Sequence, residues 1–498
     1  MGRWLILAAM ALPAFLLNID FYGITVALPS IGQAFGAGTT ALQWAVNGFN
    51  LALIAPLVAF GRLGDLVGRR RLLLVGVLLF AAGSAMCGLA TGMGWLIAGR
   101  CVQGLAVALF STSPLSIVGQ VFPKEQHGLA FSLWAAIGAA GSAVGPLVGG
   151  ALTDLFGWRW FFFVNLPVAA LTVALVLAIV PESRDETATG TFDWRGFAAI
   201  TLGLAALVYG LQAGDDAGWT APAVIAALLA GVALLPIAAG IERRAAQPLI
   251  EPGLFRLPGY LAVLGVAVAG NFGFSAVIFF SALKLQDSLG LAPLQAGVAM
   301  LAFSGCFVLT LPLAGRLLDR MGARALMVIG MALMAAASLL FLPVGLAWLV
   351  AALAVAGIGQ GFAFNTSTTA AMDAVPAAQS GAAAGVLNAA RQLGSTLGIA
   401  IAGAVFQAME SRGLLAAVGA DRLDEPQTAL VRALYSGSAA AHAALAELGP
   451  LTRGEVAAVA TAVFDASFRG AMLASAAASV LGVVVALSAR PAGGAGGR

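Results

Sequence analysis

GRLGDLVGRRR (residues 61–71) returns 254 positions later as GRLLDRMGAR (residues 315–324). Both fit the pattern G-R-L-x-D-x-x-G-x-R, and both follow an apolar run. Two other pairs keep nearly the same offset. Gln103–Gly104 recurs as Gln360–Gly361 at 257, and GSAVG (141–145) recurs as GSTLG (394–398) at 253. Recurrence at one spacing marks a duplicated structural unit.

The size of that unit follows from the apolar runs. About 20 apolar residues cross the hydrocarbon of a bilayer. On that length the chain holds fourteen runs, at 5–29, 42–61, 72–90, 95–118, 128–152, 161–180, 196–213, 220–240, 259–281, 294–315, 325–343, 347–370, 382–407 and 468–489. The repeat relates runs 2, 4 and 5 to runs 10, 12 and 13. The expected fold is therefore an all-α integral membrane protein. Two six-helix halves, 1–181 and 258–490, flank two inserted helices with their linkers in 182–257. A long Ala-rich loop at 408–467, expected to be partly helical, precedes the last helix, and 491–498 is a tail. Two parallel-repeat halves are a transporter architecture, with the substrate site between them near the midplane.

Composition agrees with a chain that lives in the bilayer. Hydrophobic residues make up 61% and charged residues 9%, against about 25% charged in soluble domains. The net charge of +3 is small and dispersed, so no nucleic-acid partner is expected. Cys87, Cys101 and Cys306 are isolated within apolar segments and read as core residues, not as metal ligands or a disulfide framework. His127 and His442 are also isolated. No metal, cofactor or catalytic constellation is expected, and the absence of a Walker loop argues against ATP as the energy source.

Positive charge sets the orientation. With the N-terminus inside, sixteen Lys and Arg fall in inside segments and two, Arg159 and Lys284, in short outside loops. Both termini are then cytoplasmic. Trp95, Trp158, Trp160, Trp194, Trp219 and Trp348 fall at helix ends, as an interfacial belt requires. The charges of 408–467 are mixed in sign and suit a solvated surface.

A few polar residues sit deep in the runs. Asp20 is the acid deep in a span, about 14 Å from the outer end of its helix at 1.5 Å per residue. Arg100, Gln103 and Gly104 share one face of the fourth helix. An arginine at that depth costs roughly 2.5–3.5 kcal/mol or more and needs a partner. Arg391 is the other deep cation, and it either lines the cavity or pairs with a helix end. Asn271, Phe274, Gln360 and Asn365 are further cavity candidates because they are polar or aromatic on helices 9 and 12.

These motifs together resemble the major facilitator superfamily. Residues 61–71 are similar to its signature loop between helices 2 and 3. RCVQG (100–104) resembles its helix-four motif, and GSAVGPLVGG (141–150) resembles the helix-five pattern associated with antiporters. NIDFYGITVALP (18–29) and WRWFFFVNLP (158–167) are similar to the fourteen-helix drug:proton antiporter branch. One departure stands out: offset 257 from Arg100 falls on Gly357, so the second half lacks that arginine.

The resemblance implies a proton-coupled antiporter of the cell membrane that exports amphipathic toxic compounds by alternating access. The expected partners are a lipophilic substrate, compatible with cationic charge, protons and the bilayer; a monomer is expected. Burial favours a neutral acid, whereas a nearby arginine favours the carboxylate. Movement of Arg100 would thus switch Asp20 between holding and releasing a proton; a static brace is the alternative. Gly61, Asp65, Gly68, Arg69 and Arg70 would form a cytoplasmic latch, or simply hold the loop inside. Gly141, Gly145, Pro146, Gly149 and Gly150 would give helix five a tight face at the seam between halves, or ordinary packing. Two other functions remain open: a dedicated exporter of one endogenous metabolite or self-made antibiotic, and a non-transporting membrane sensor.

Overall fold

The structure is a computed structural model. It describes residues 2–488 apart from 112, 124–125, 183–192, 219, 245–251, 258, 344, 376–379, 420–422, 425, 428, 432–443 and 448–449. The tail 491–498 and His442 lie outside the described residues, as do the side chains of Gly61, Asp65, Gln212 and Asp319.

The described chain is helical. The first group runs α1 (Gly2–Phe35), α2 (Thr39–Val67), α3 (Arg69–Gly88), α4 (Met93–Phe110), α5 (Ser113–Val121), α6 (His127–Phe156), α7 (Arg159–Phe163) and α8 (Asn165–Ile179). Next come α9 (Trp194–Ala217) and α10 (Pro222–Glu242). The last group is α11 (Tyr260–Leu283), α12 (Pro293–Leu340), α13 (Leu346–Asp373), α14 (Ser380–Gly419) and α15 (Pro450–Ser488). Local sequence explains many boundaries. Asp193 caps α9 by accepting from the backbone N–H of Arg195 and Gly196. Pro222 and Pro293 open α10 and α12 at the first helical position, where a missing N–H costs nothing.

Twelve helical segments among the described residues are long and apolar enough to cross a membrane. They include α4 with α5, α7 with α8, and two from α12, which breaks at Gly322. Gly322 has φ +76, and Gly68, 254 residues earlier, has φ +118 at the break between α2 and α3. Glycine adopts that backbone freely, which is why the repeated motif carries one there. Thr39–Val67, with 29 residues, and Trp194–Ala217, with 24, stand at the two remaining expected positions. Within the latter, Trp194–Leu207 is a shorter apolar helix.

α1–α8 form one bundle and α11–α15 another. They meet from the middle of α1, where Phe21 and Tyr22 touch Phe274, to the end of the molecule where α1 finishes and α2 begins. α6 crosses α12 there, with the Gly150 Cα beside Pro293 and Leu294, and Gly297 beside the Pro146 carbonyl. α2 packs on α14, and Gln407 donates to Thr40 Oγ1. α10 packs chiefly on α9, and α9 touches both α2 and α14.

Three expectations need correction. The partly helical loop does not keep the bounds 408–467, because α14 continues to Gly419 and α15 begins at Pro450. Leu414, Leu423, Val431 and Val456 build a small apolar cluster between them. Nor are all of its charges solvated. Asp465 pairs with Lys284, which is buried at 4% exposure in a π-helical turn at the end of α11. Ser288 Oγ lies 3.0 Å from Lys284 Nζ, with the rings of Phe464 and Phe468 within 6 Å. Lys284 is buried and Asp465 half-buried because α11 and α15 extend past the apolar runs that sequence counting requires. Trp158 is likewise buried against Phe35 and Phe162 instead of joining the interfacial tryptophans.

Candidate functional site

Asp20 sits halfway along α1 and is fully buried. Three side chains reach it from two other helices. Arg100 Nη1 of α4 donates to Asp20 Oδ2 at 2.5 Å. Gln103 Nε2, one turn further on α4, donates to Oδ1 at 3.2 Å. Asn165 Nδ2, at the start of α8, donates to the same oxygen at 3.2 Å. The i, i+3 spacing of Arg100 and Gln103 puts both on the carboxylate.

The cluster is held from behind. Arg100 Nε donates to the Ala45 carbonyl of α2 at 3.1 Å, and Nη1 also donates to Gln103 Oε1 at 2.8 Å. The guanidinium lies 4.3 Å from the centre of the Phe49 ring. Ser84 of α3 joins Gln103 Nε2 at 2.8 Å and Asn165 Nδ2 at 3.2 Å. Cys87 Sγ lies 3.6 Å from Gln103 Oε1. A buried ion pair stands only when its remaining donors and acceptors are also satisfied, and this network does most of that. Asn165 Oδ1 is the exception: it is buried without a partner among the described residues.

Close helix packing makes the cluster possible. Gly141 lies against the Phe15 carbonyl and Gly145 against the Ile19 carbonyl and Tyr22, so α6 presses directly on α1. Gly394 and Gly398 press on Val268 and Phe272 of α11 in the same way, 253 residues later. Gly149 meets Gly23. Three of the five expected seam residues thus pack within their own bundle. Gly150 and Pro146 reach across to α12.

The remaining expected residues divide. Phe274 sits where the bundles meet, with Phe21 stacked at 6.3 Å, Tyr22 at 5.6 Å and Phe303 at 5.4 Å. Phe21 follows Asp20 in sequence, so the charge pair lies one residue from the contact between bundles. Asn271 donates to the Ala267 carbonyl of its own helix, and Asn365 to the Leu311 carbonyl of α12. Gln360 faces Gly270 inside the second bundle. Arg391 is buried against α13. Its Nη2 donates to the Phe364 carbonyl at 2.8 Å, Ser367 Oγ at 3.0 Å and Thr368 Oγ1 at 2.6 Å, all in the last third of α13. Its guanidinium covers the Phe364 ring at 3.8 Å.

At the signature loop the acid beside α3 is Glu182, which sequence reading did not single out. Glu182 Oε1 accepts from the Arg70 backbone N–H at 3.1 Å, and Arg70 Nη2 donates to the Leu177 carbonyl at 2.9 Å. Arg71 stands 3.6 Å from Glu182. Glu182 also approaches Gly68, where a Cβ would come within 2.7 Å of its oxygen. Of the expected latch residues, Gly68 and Arg70 make these contacts, and Arg69 flanks them. The side chains of Gly61 and Asp65 lie outside the described residues.

Ser84, Asn165 and Phe49 were missed by sequence reading. Asn165 stands in the quoted WRWFFFVNLP stretch, and that was the available signal.

Residues 10–253 and 261–420 match the Major Facilitator Superfamily. The chain belongs to this superfamily. It is a multi-pass membrane protein and a transporter, not an enzyme. Over 490 residues it is 32% identical to "Multidrug efflux pump LfrA" of Mycolicibacterium smegmatis, covering 96% of both chains. Over 420 residues it is 34% identical to "Probable actinorhodin transporter" of Streptomyces coelicolor, covering 81% of this chain and 72% of the relative. Its fold superposes on a bacterial homolog to the human lysosomal transporter Spinster, in an inward-facing and unoccupied conformation. The TM-score is 0.68 at 16% identity, over 98% of each chain.

Proposed function

We infer that this superfamily member is a fourteen-helix, proton-coupled exporter of lipophilic toxic compounds. Two six-helix halves related by the internal repeat rock about the contact at Phe21, Tyr22 and Phe274, with both termini cytoplasmic. The glycine contacts that recur at an offset of 253 support the repeat. The bundle contacts gathered at one end support a state closed on the outer side. The efflux pump of Mycolicibacterium smegmatis supports export.

The observation that carries the reading is the buried Asp20–Arg100 pair one residue from that contact. An ion pair sealed from water is strong only while both members are charged. A proton on Asp20 cancels its attraction for Arg100, which keeps its bonds to Ala45 and Gln103. α1 is then free to move relative to α4, and Phe21 moves with it. In the other direction the pair re-forms and expels the proton. The signature loop, fixed by Glu182 at the start of α3, acts as a latch at the cytoplasmic end.

Efflux of dyes and drugs from membrane vesicles, with and without a pH gradient, tests this reading. Gradient-dependent efflux of several unrelated compounds supports it, and an absence of any transport would favour a sensor. The Streptomyces coelicolor relative favours a second reading, a dedicated exporter of one endogenous compound. Gradient-dependent export of a single compound from a broad panel would select that reading.

A further inference from the structure

Gln43, Asn47 and Asn50 form a stripe on one face of α2, at i, i+4 and i+7. Their exposures are 1%, 0% and 0%. Gln43 Nε2 and both amide atoms of Asn47 and Asn50 have no hydrogen-bond partner among the described residues. Buried amides are nearly always paired, and each exception needs a reason. Five unpaired atoms within two turns of one helix are a concentrated exception.

The stripe does not face the charge cluster. That cluster uses the opposite side of α2, where Gly48 fits against Cys101 and Ile97 of α4, and Phe49 lies beneath Arg100. Gln43 faces α14 of the other bundle, and helical spacing turns Asn47 and Asn50 toward the same side of α2. The Gln43 amide rests directly on the backbone at Gly403, where any Cβ would collide with it. Thr40, one turn earlier, accepts from Gln407. The stripe therefore begins at the end where the bundles are joined and runs inward about 10 Å, at 1.5 Å per residue. Its inner end is level with Phe49 and the Asp20–Arg100 pair.

We propose that Gln43, Asn47 and Asn50 are a hydrogen-bonding subsite of the exit path, hidden while the α2–α14 seam is closed. When the bundles part at this end the amides come out of the seam and bind hydroxyl and carbonyl groups of the departing compound. Amides both donate and accept, so the stripe suits a substrate carrying both kinds of group. A site built to hydrogen-bond discriminates strongly against an analogue that cannot reciprocate. The subsite thus selects oxygen-rich lipophilic compounds over simple lipophilic cations. It rests on the exporter reading, with this end outward.

Two measurements on the full-length protein test it. In the first, Asn47→Cys, Asn50→Cys and Ala45→Cys are exposed in intact cells to a membrane-impermeant maleimide. The wild type, with its three native cysteines, gives the background. The proposal expects labelling at positions 47 and 50, at least tenfold faster than at 45, which faces α4. Rates at 47 and 50 no higher than at 45 would overturn it. In the second, vesicles carrying Asn47→Leu, Asn50→Leu or both transport doxorubicin, rich in hydroxyls and carbonyls, and tetraphenylphosphonium, which has no hydrogen-bonding group. The expected result is a KM at least tenfold higher for doxorubicin, with that for tetraphenylphosphonium within twofold of wild type. Equal changes for both probes, or none for either, would also overturn it. A failed exporter reading looks different: wild-type vesicles move neither probe, while the labelling still decides whether the stripe opens outward.

Discussion

Arg100 Nη1 lies 2.5 Å from Asp20 Oδ2, and neither side chain is more than 1% exposed. The contact joins α1 to α4 across the core of the first bundle. Its two members are not equally supported if the other is lost. Arg100 keeps the Ala45 carbonyl, Gln103 Oε1 and the Phe49 ring. Asp20 keeps only amide donors.

Loss of the arginine should therefore be the costlier change. Arg100→Ala strands a buried carboxylate, and breaking such a pair costs about 3–5 kcal/mol. The expected outcome is a lower Tm in detergent and loss of gradient-driven efflux. Arg100→Lys keeps the charge but loses the fork that reaches Asp20, Gln103 and Ala45 together, so efflux should fall with a smaller loss of Tm. Thermal melts and vesicle efflux on both variants check this. Equal behaviour of the two would show that the charge alone contributes nothing and that the fork geometry carries the effect.

The glycines of α6 and α14 should respond alike. A Cβ at Gly141 would come 2.6 Å from the Phe15 carbonyl, and one at Gly394 would come closer still to the Val268 carbonyl. Overpacking of this kind costs about 1–3 kcal/mol. Gly141→Ala and Gly394→Ala should each lower Tm, whereas Gly305→Ala, which meets open space, should not. Melting curves of the three proteins give the comparison.

The motif glycines, the arginine clusters and the Asp20–Arg100 partnership were legible in the sequence because each breaks an apolar background at a regular position. The rest of the site was not. Asn165 reaches Asp20 across 145 residues and Ser84 across 81, and small polar residues on apolar helices carry no local mark of their partners. Lys284 and Asp465 were misplaced for a different reason. Counting 20-residue spans stops each helix at the hydrocarbon edge, so charges just beyond read as solvated. α15 in fact spans 39 residues and carries Asp465 against α11.

That second buried pair makes its own prediction. Lys284→Met or Asp465→Leu alone leaves one buried charge, at a cost of about 3–5 kcal/mol, while the double substitution should recover most of the loss. A double-mutant cycle of Tm values measures the coupling. Additive losses would mean the two side chains act independently.

At the signature loop Gly68 holds φ +118 with Glu182 packed over it. Gly68→Ala meets both strain and collision and should cost more than about 1 kcal/mol. Glu182→Gln removes the negative charge beside the N-terminus of α3, worth about 0.3–1 kcal/mol, and should produce the smaller drop in Tm. A reversed order would show that the charge, not the backbone conformation, governs this corner.

The central claim is that Asp20 carries the coupling proton. The most direct measurement is substrate transport by purified protein in proteoliposomes, comparing wild type with Asp20→Asn under an imposed pH gradient and in substrate exchange without one. The account predicts that the gradient accelerates wild-type transport and has no effect on Asp20→Asn, which still binds and exchanges substrate. Accumulation by Asp20→Asn at the wild-type rate under the same gradient would contradict it.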